Sequence, residues 1–268
     1  MTWQPEQYLK FAQPRLRPAI DLLARVAHAD PKQVYDLGCG TGNVTRLIVE
    51  RWPNAAVTGV DDSAEMLAQA AGNVKGVTWL KQTLATWRPT QPADVIYSNA
   101  ALHWLPRHDL LLPSLVDALA PRGVLAVQMP RNFAAPSHTL IAETVLAGPW
   151  RSKLEHLLSP APVASPAFYY DLIAGRVASV DIWETEYLQI LEGADPVKEW
   201  TKGTWLKQFL DALAGAQRAE FEEAYAARLR IAYPTSEDGR TLFPFRRLFI
   251  VIQNKWRLGP SSTQTAAT

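Results

Sequence analysis

The sequence predicts an α/β protein built on a doubly wound, mostly parallel seven-stranded sheet with a helical cap. Three observations predict it. Between residues 33 and 130, short apolar runs and helical patterns alternate five times, at intervals suited to right-handed parallel crossovers. The first run ends in Asp36-Leu37-Gly38-Cys39-Gly40-Thr41-Gly42, a glycine-rich turn that leads straight into a helical pattern. Past Pro130 two more strand-like runs appear, separated by proline-broken helical segments that supply the cap.

Each element has its own justification. Residues 3–28 read as helical: Tyr8, Leu9, Phe11, Leu16, Ile20, Leu22, Leu23 and Val26 recur at helix-like spacing, with Pro14 and Pro18 as punctuation. Arg15 and Arg17 lie in the gap, either as solvated charges or as a lid offering cations to an anionic substrate. Gln33–Leu37 is the first strand and Asn43–Arg51 the first crossover helix. Residues 56–60 form the second strand, ended by Asp61-Asp62-Ser63, and Ser63 caps a helix over 64–71. Val77–Lys81 and 93–98 are the third and fourth strands. A helix over 110–119 leads to a tight turn, Pro121-Arg122-Gly123, and a fifth strand over 124–129. Strands over 180–191 and 242–253 flank helical patterns over 195–214 and 217–233. The expectation is one domain over 1–258, with its core at 30–130 and cap elements at 1–28, 131–178 and 192–240. The small, polar residues 259–268 are expected to be a disordered tail.

Composition narrows the function. The net charge of +1 shows no broad basic footprint for nucleic acid. No apolar run is long enough to span a bilayer, and the first residues lack a signal pattern, so a cytoplasmic protein is expected. Cys39 is the single cysteine, which excludes an internal disulfide and a cysteine-based zinc site; no metal is expected. A monomer or weak homo-oligomer acting on a small molecule, with no nucleic-acid or membrane partner, fits these limits.

The glycine turn carries the chemistry. Its spacing is G-x-G-x-G rather than the dinucleotide G-x-G-x-x-G, and Asp36 stands just before it. That carboxylate would repel a pyrophosphate at the helix N-terminus and welcome a cation. S-adenosylmethionine (SAM), with its sulfonium and ammonium, is such a ligand. The stretch resembles the first motif of the class I SAM-dependent methyltransferases. Gly38, Cys39, Gly40 and Gly42 then give close backbone approach, and Asp36 supports the ammonium. Asp61, about 20 residues on, stands where open α/β sheets hold ribose hydroxyls, with Asp62 beside it. Met66 and Leu84 are placed to flank adenine, and Asn99 closes the fourth strand at the ligand end of the sheet. One departure is local: methyltransferases of this class often carry an acid after the third strand, where Gln82-Thr83-Leu84 stands here, so Thr83 or backbone groups take that contact.

The acceptor follows from what is missing. Amine, phenol or carbon acceptors usually need a base, whereas a carboxylate is already ionised. His103 is the nearest candidate base and reads as a hydrogen-bonded wall residue; Trp104 reads as a wall between cofactor and acceptor. No catalytic residue beyond positioning groups is expected. Arg131, Arg151, Arg176, Lys202, Arg240, Arg246 and Arg247 stand amid Trp150, Trp183, Trp200 and Trp205, and arginines clamp carboxylates in bidentate geometry. Arg15, Arg17 and Arg246, with Gln128, are the expected substrate contacts.

Segments spread over nearly the whole chain then resemble the trans-aconitate 2-methyltransferase family. They are Trp3…Tyr8-Leu9-Lys10-Phe11…Arg15-Leu16-Arg17-Pro18-Ala19, Tyr35-Asp36-Leu37-Gly38-Cys39-Gly40, Leu125-Ala126-Val127-Gln128-Met129-Pro130, Gly148-Pro149-Trp150, Val180-Asp181-Ile182-Trp183, Glu199-Trp200-Thr201-Lys202-Gly203-Thr204 and Arg247-Leu248-Phe249. The resemblance implies methyl esterification of a small tricarboxylate with release of S-adenosylhomocysteine. Two alternatives stay open: a carboxyl methyltransferase for another acid, such as a malonyl group on a carrier protein, and a SAM-binding regulatory protein without catalysis.

Overall fold

A computed structural model describes residues 12–256, with side chains from Leu16 onward. The elements in order are α1 (Ala12–Ala24), β1 (Gln33–Leu37), α2 (Asn43–Arg51), β2 (Ala56–Asp61), α3 (Ala64–Asn73), β3 (Val77–Lys81), β4 (Ala93–Asn99), α4 (His108–Asp117), β5 (Leu119–Pro130), α5 (Pro136–Ala147), α6 (Arg151–Leu154), α7 (Pro166–Ile173), β6 (Ser179–Leu191), α8 (Pro196–Lys202), α9 (Lys207–Asp211), α10 (Gly215–Ala232) and β7 (Thr241–Gln253). A 3-10 turn, Leu102–Trp104, follows β4.

The strands form one seven-stranded sheet in the order β3-β2-β1-β4-β5-β7-β6. β1 pairs in parallel with β2 and β4, and β2 with β3. The switch of strand order beside β1 is where doubly wound sheets open a crevice for ligands. β7 runs the other way: Arg122 bonds to Lys255, Asn254 to Gly123 and Arg131 to Arg246, so the partners on β5 and β7 descend in opposite order.

Backbone connectivity divides the chain into two compact units. The glycine-loop unit comprises Leu22–Val127, Ser165–Ile182 and the chain from Ile250; the aromatic unit comprises the chain up to Asp21, Gln128–Ala164 and Trp183–Phe249. In the glycine-loop unit the central strands are buried on both faces, so they read as continuous apolar runs: Val34, Tyr35 and Leu37 on β1, and Val95, Ile96 and Tyr97 on β4. Trp87 is buried edge-on against Tyr35, with ring centroids 5.1 Å apart. The aromatic unit packs α5, α8, α9 and α10 around Trp150, Trp200, Phe209, Phe221, Tyr225 and Phe243. Edge-to-face pairs such as Trp150–Phe221, at 5.2 Å, set the ring geometry there.

The strand and helix bounds expected for β1, α2 and β3 hold, and Ser63 caps α3, accepting from the Met66 N–H at 3.3 Å. Three expectations are corrected. The helix expected over 110–119 is α4, which starts at His108 and stops at Asp117. The expected turn at 121–123 lies inside β5 as a left-handed kink, Arg122 having φ 63. Gly123 is needed there because a Cβ would sit 2.6 Å from the Ala93 carbonyl oxygen. The helix expected over 195–214 is two helices, α8 and α9, broken at Gly203-Thr204 so that Leu206 and Phe209 can both turn into the core. The expected residues of 3–11 and the tail 259–268 lie outside the described residues. Among the described residues no helix is long and apolar enough to cross a membrane.

Candidate functional site

At the end of β1 the chain turns over the end of β2: the Gly38 and Cys39 N–H groups donate to the Val60 carbonyl at 2.8 and 3.1 Å. Gly38, Gly40 and Gly42 take φ values of 76, 54 and 81, which other L-residues reach only at a cost of roughly 1–2 kcal/mol each. Space matters as much as angle. A Cβ on Gly38 would lie 2.1 Å from the Ala101 Cβ, and one on Gly42 would lie 3.1 Å from the Trp79 ring. The loop is thus pressed against the segment after β4, where Ala100 is itself held at φ 53, a strained value for alanine.

Asp61 ties this loop to the next one. Its Oδ2 accepts from the Gly40 N–H at 2.9 Å and its Oδ1 from the Ser63 N–H at 3.0 Å. Each carboxylate oxygen keeps a lone pair for a ligand. Met66 Sδ and Leu84 Cδ1 each come within 3.6 Å of where a Cβ on Gly40 and Gly38 would stand, so both lie beside the loop. Asp62 and Thr83 are exposed close by. Asn99 Oδ1 is buried and finds no donor among the described residues. Cys39 is buried and burial pushes its thiol up, so it is a packing residue and no nucleophile. His103 is buried with its ring 4.6 Å from that of Trp104, which is 53 % exposed.

A residue that sequence reasoning passed over holds this segment. His108 is buried, with Nδ1 2.6 Å from the Tyr169 hydroxyl and Nε2 3.0 Å from the Leu102 carbonyl. The carbonyl only accepts, so Nε2 carries the proton and Nδ1 accepts from Tyr169. The 3-10 turn bearing Trp104 is pinned from below. Nothing in the local pattern distinguishes His108 from a surface helix start.

In the aromatic unit the expected substrate contacts separate. Gln128 is fully buried, and its Nε2 finds no acceptor among the described residues. Arg246 is exposed and faces Glu186 at 3.7 Å. Its neighbour Arg247 is buried, donates from Nη1 to Gln128 Oε1 at 3.4 Å and lies 4.8 Å over the Phe245 ring. Strand residues alternate between faces, so the inward cation of β7 is Arg247, not Arg246. Arg17 is exposed but lies 5.3 Å over the ring of buried Tyr187, whose hydroxyl donates to Asp21 at 2.7 Å. Burial, then Asp21, pushes the Tyr187 hydroxyl up, while Arg247 and Arg17 pull it down. Arg15 lies in α1, its side chain outside the described residues. The other candidate cations sit in ion pairs: Arg131 with Glu184, Arg151 with Glu155, Arg176 with Asp117, Lys202 with Glu222 and Arg240 with Glu192.

Comparison with known proteins assigns the chain. Residues 34–123 match a family model described as a methyltransferase domain. The fold is that of class I Rossmann-like methyltransferases; the YcgJ protein from Bacillus subtilis superimposes with a TM-score of 0.58 over 89% of this chain and 99% of its own, at 14% identity. The trans-aconitate 2-methyltransferase of Azoarcus sp. (strain BH72) is 49% identical over 250 residues, 93% of this chain and 98% of that protein. That of Streptomyces avermitilis is 48% identical over 259 residues, 93% of this chain and 96% of that protein. The chain belongs to the trans-aconitate 2-methyltransferase family.

In this member of the trans-aconitate 2-methyltransferase family the acid before the glycines is not at the surface. Asp36 is buried beneath the loop, its Oδ2 accepting from the Thr45 hydroxyl at 2.6 Å. Burial pushes its carboxyl up to about 7; the Thr45 hydrogen bond opposes this and the charge of Asp61 adds to it. Unfolded, the same group titrates at its ordinary value of 3.8. Between these values the folded chain holds a proton that the unfolded chain has lost, so the Asp36 contribution to stability is full below pH 3.8 and fades as pH rises through about 7. We therefore expect Asp36→Asn to flatten part of the stability–pH curve. Urea unfolding at steps between pH 4 and pH 8 should show the wild type losing stability relative to the variant across that window. Parallel curves would contradict the buried, protonated state.

Proposed function

We propose that the chain transfers the methyl group of SAM to one carboxylate of trans-aconitate, giving the monomethyl ester and S-adenosylhomocysteine. The observation that carries this reading is near-50% identity, over 93% of the chain, to proteins bearing that activity in their name. The residues of the glycine-loop unit fit the cofactor on their own chemistry. The left-handed glycines keep three positions of the loop free of side chains, Asp61 has lone pairs for ribose hydroxyls, and Asn99 Oδ1 is an orphaned acceptor suited to an ammonium. Asp61 gives the loop a carboxylate, which favours a cationic ligand and disfavours a phosphate. SAM supplies a methyl group bonded to a positively charged sulfur and open to displacement.

In this reading the chain works by binding, orientation and exclusion of water. Gly38, Cys39, Gly40 and Gly42 carry the backbone cradle, Asp61 and Asp62 the ribose, and Met66, Thr83 and Leu84 the adenine. Trp104 borders the reacting end. A carboxylate acceptor is already anionic at neutral pH and its oxygen attacks without giving up a proton, so no general base is required. The buried state of His103 and His108 is in keeping with that. For the acid we assign Arg247 and Gln128, with Arg17 and Arg15 as further cations. A buried guanidinium beside an amide Nε2 that lacks an acceptor offers directed donors to a carboxylate. The same reading places the enzyme in the cytoplasm, acting on a small tricarboxylate without a nucleic-acid or membrane partner.

S-adenosylhomocysteine release should be measured from SAM with trans-aconitate, cis-aconitate, isocitrate and malonyl-carrier protein side by side. Strong preference for trans-aconitate is expected, with the monoester identified by mass; turnover only with the carrier, or with none of the four, would overturn the proposal. Arg247→Gln should raise the KM for the acid by about tenfold or more and leave SAM affinity within twofold, the loss of one charge-assisted contact being worth roughly 1.5–3 kcal/mol. Arg246→Ala should change that KM less than twofold. The reverse ranking would return the clamp to Arg246.

A further inference from the structure

The aromatic unit contains a second place built to hold a small molecule. A cavity of about 320 Å³ lies among Phe133, His138, Ile141, Ala142, Trp205 and Phe209. That volume is at the lower end of the range for small-molecule pockets, about 300–1,000 Å³. Three rings meet around it: Phe133 stands edge-on to Trp205 at 5.2 Å and to His138 at 5.1 Å.

His138, one of the polar residues at this cavity, is tied into a chain of hydrogen bonds. Asn132 Oδ1 accepts from the Arg246 N–H at 3.1 Å, which fixes its amide; Nδ2 then donates to Ser137 Oγ at 3.1 Å. Ser137 Oγ lies 3.1 Å from His138 Nδ1. With Asn132 as its donor, the hydroxyl keeps its own hydrogen and one more lone pair, and when that hydrogen goes to Nδ1 the imidazole proton stands on Nε2. The Ser137 backbone is locked as well, its N–H donating to the Tyr233 hydroxyl at 3.1 Å and its carbonyl accepting from Tyr225 at 2.7 Å. In that tautomer His138 has an N–H to offer a cavity lined mainly by aromatic and aliphatic side chains, with Thr139, Glu143 and Ser159 also at its wall. Burial pushes the His138 ring down to about 4, so it is a neutral donor at physiological pH.

The same lining tells what does not bind. Among the described residues no arginine or lysine lines the cavity, and Glu143 places a carboxylate at it. A tricarboxylate, or any anion, would meet repulsion and no counter-charge there. This chamber is therefore chemically distinct from the Arg247–Gln128 pair assigned to the acid.

We propose that the cavity is a binding site for a neutral, flat, mostly apolar molecule bearing one hydrogen-bond acceptor, with the acceptor on His138 Nε2–H and the ring between Phe133 and Trp205. Acetophenone is a probe of that chemistry; ethylbenzene has nearly its shape without the acceptor, and benzoate replaces the ketone by an anion. Calorimetric titration of the full chain should show acetophenone binding about tenfold more tightly than ethylbenzene, as one added hydrogen bond predicts, with benzoate weakest. His138→Leu should bring acetophenone and ethylbenzene to equal affinity, and Ala142→Trp should abolish both by filling the chamber. In the unaltered protein, saturation with acetophenone should move the His138 Nε2 nitrogen resonance. The proposal is overturned if acetophenone binds no better than ethylbenzene, if benzoate binds as well, if Ala142→Trp leaves binding intact, or if the histidine resonance does not move. Methyl transfer to trans-aconitate enters none of these outcomes.

Discussion

Asp61 joins two loops that would otherwise be independent. One oxygen takes the Gly40 N–H after β1 and the other takes the Ser63 N–H after β2. The strands set the span: β1 and β2 pair in parallel up to Leu37 and Val60, so their ends reach the same edge of the sheet together. The left-handed glycines let the first loop curl back far enough to be tied, and Ser63 uses its own side chain to start α3. Remove the bridge and the cradle loses its register with the groups that flank it, Met66 on α3 and Leu84 after β3.

Charge then divides the labour between the two units. The glycine-loop unit gathers carboxylates and an orphaned amide oxygen, with Asp36 buried and its carboxyl pushed up by burial. The aromatic unit gathers a buried arginine, a buried glutamine and a tyrosine under a second arginine.

Much of this was legible in the sequence, and the reasons for the misses are physical. The strands of the glycine-loop unit are buried on both faces and so announce themselves as apolar runs, and the turn needs glycine at Gly38, Gly40 and Gly42 for both angle and space. Asp61 follows from distance along the chain. Which of Arg246 and Arg247 is buried could not be read: adjacent residues on a strand point to opposite faces, and composition alone gives no phase. His108 and His138 show another. The hydrogen bonds of each run to a partner far along the chain, Tyr169 for one and, through Ser137 and Asn132, the Arg246 backbone for the other. The break between α8 and α9 was hidden because Gly203-Thr204 falls within an apolar pattern that both halves continue.

The most direct test of the account is a calorimetric titration of SAM into the wild type and Asp61→Ala, with urea unfolding of both as a control. A cradle tied and completed by this carboxylate predicts SAM affinity reduced by about tenfold or more in a variant that remains folded, two hydrogen bonds to a charged group being lost. Unchanged affinity in a folded variant would contradict it, and would move the ribose contact and the organising role to other residues of the loop.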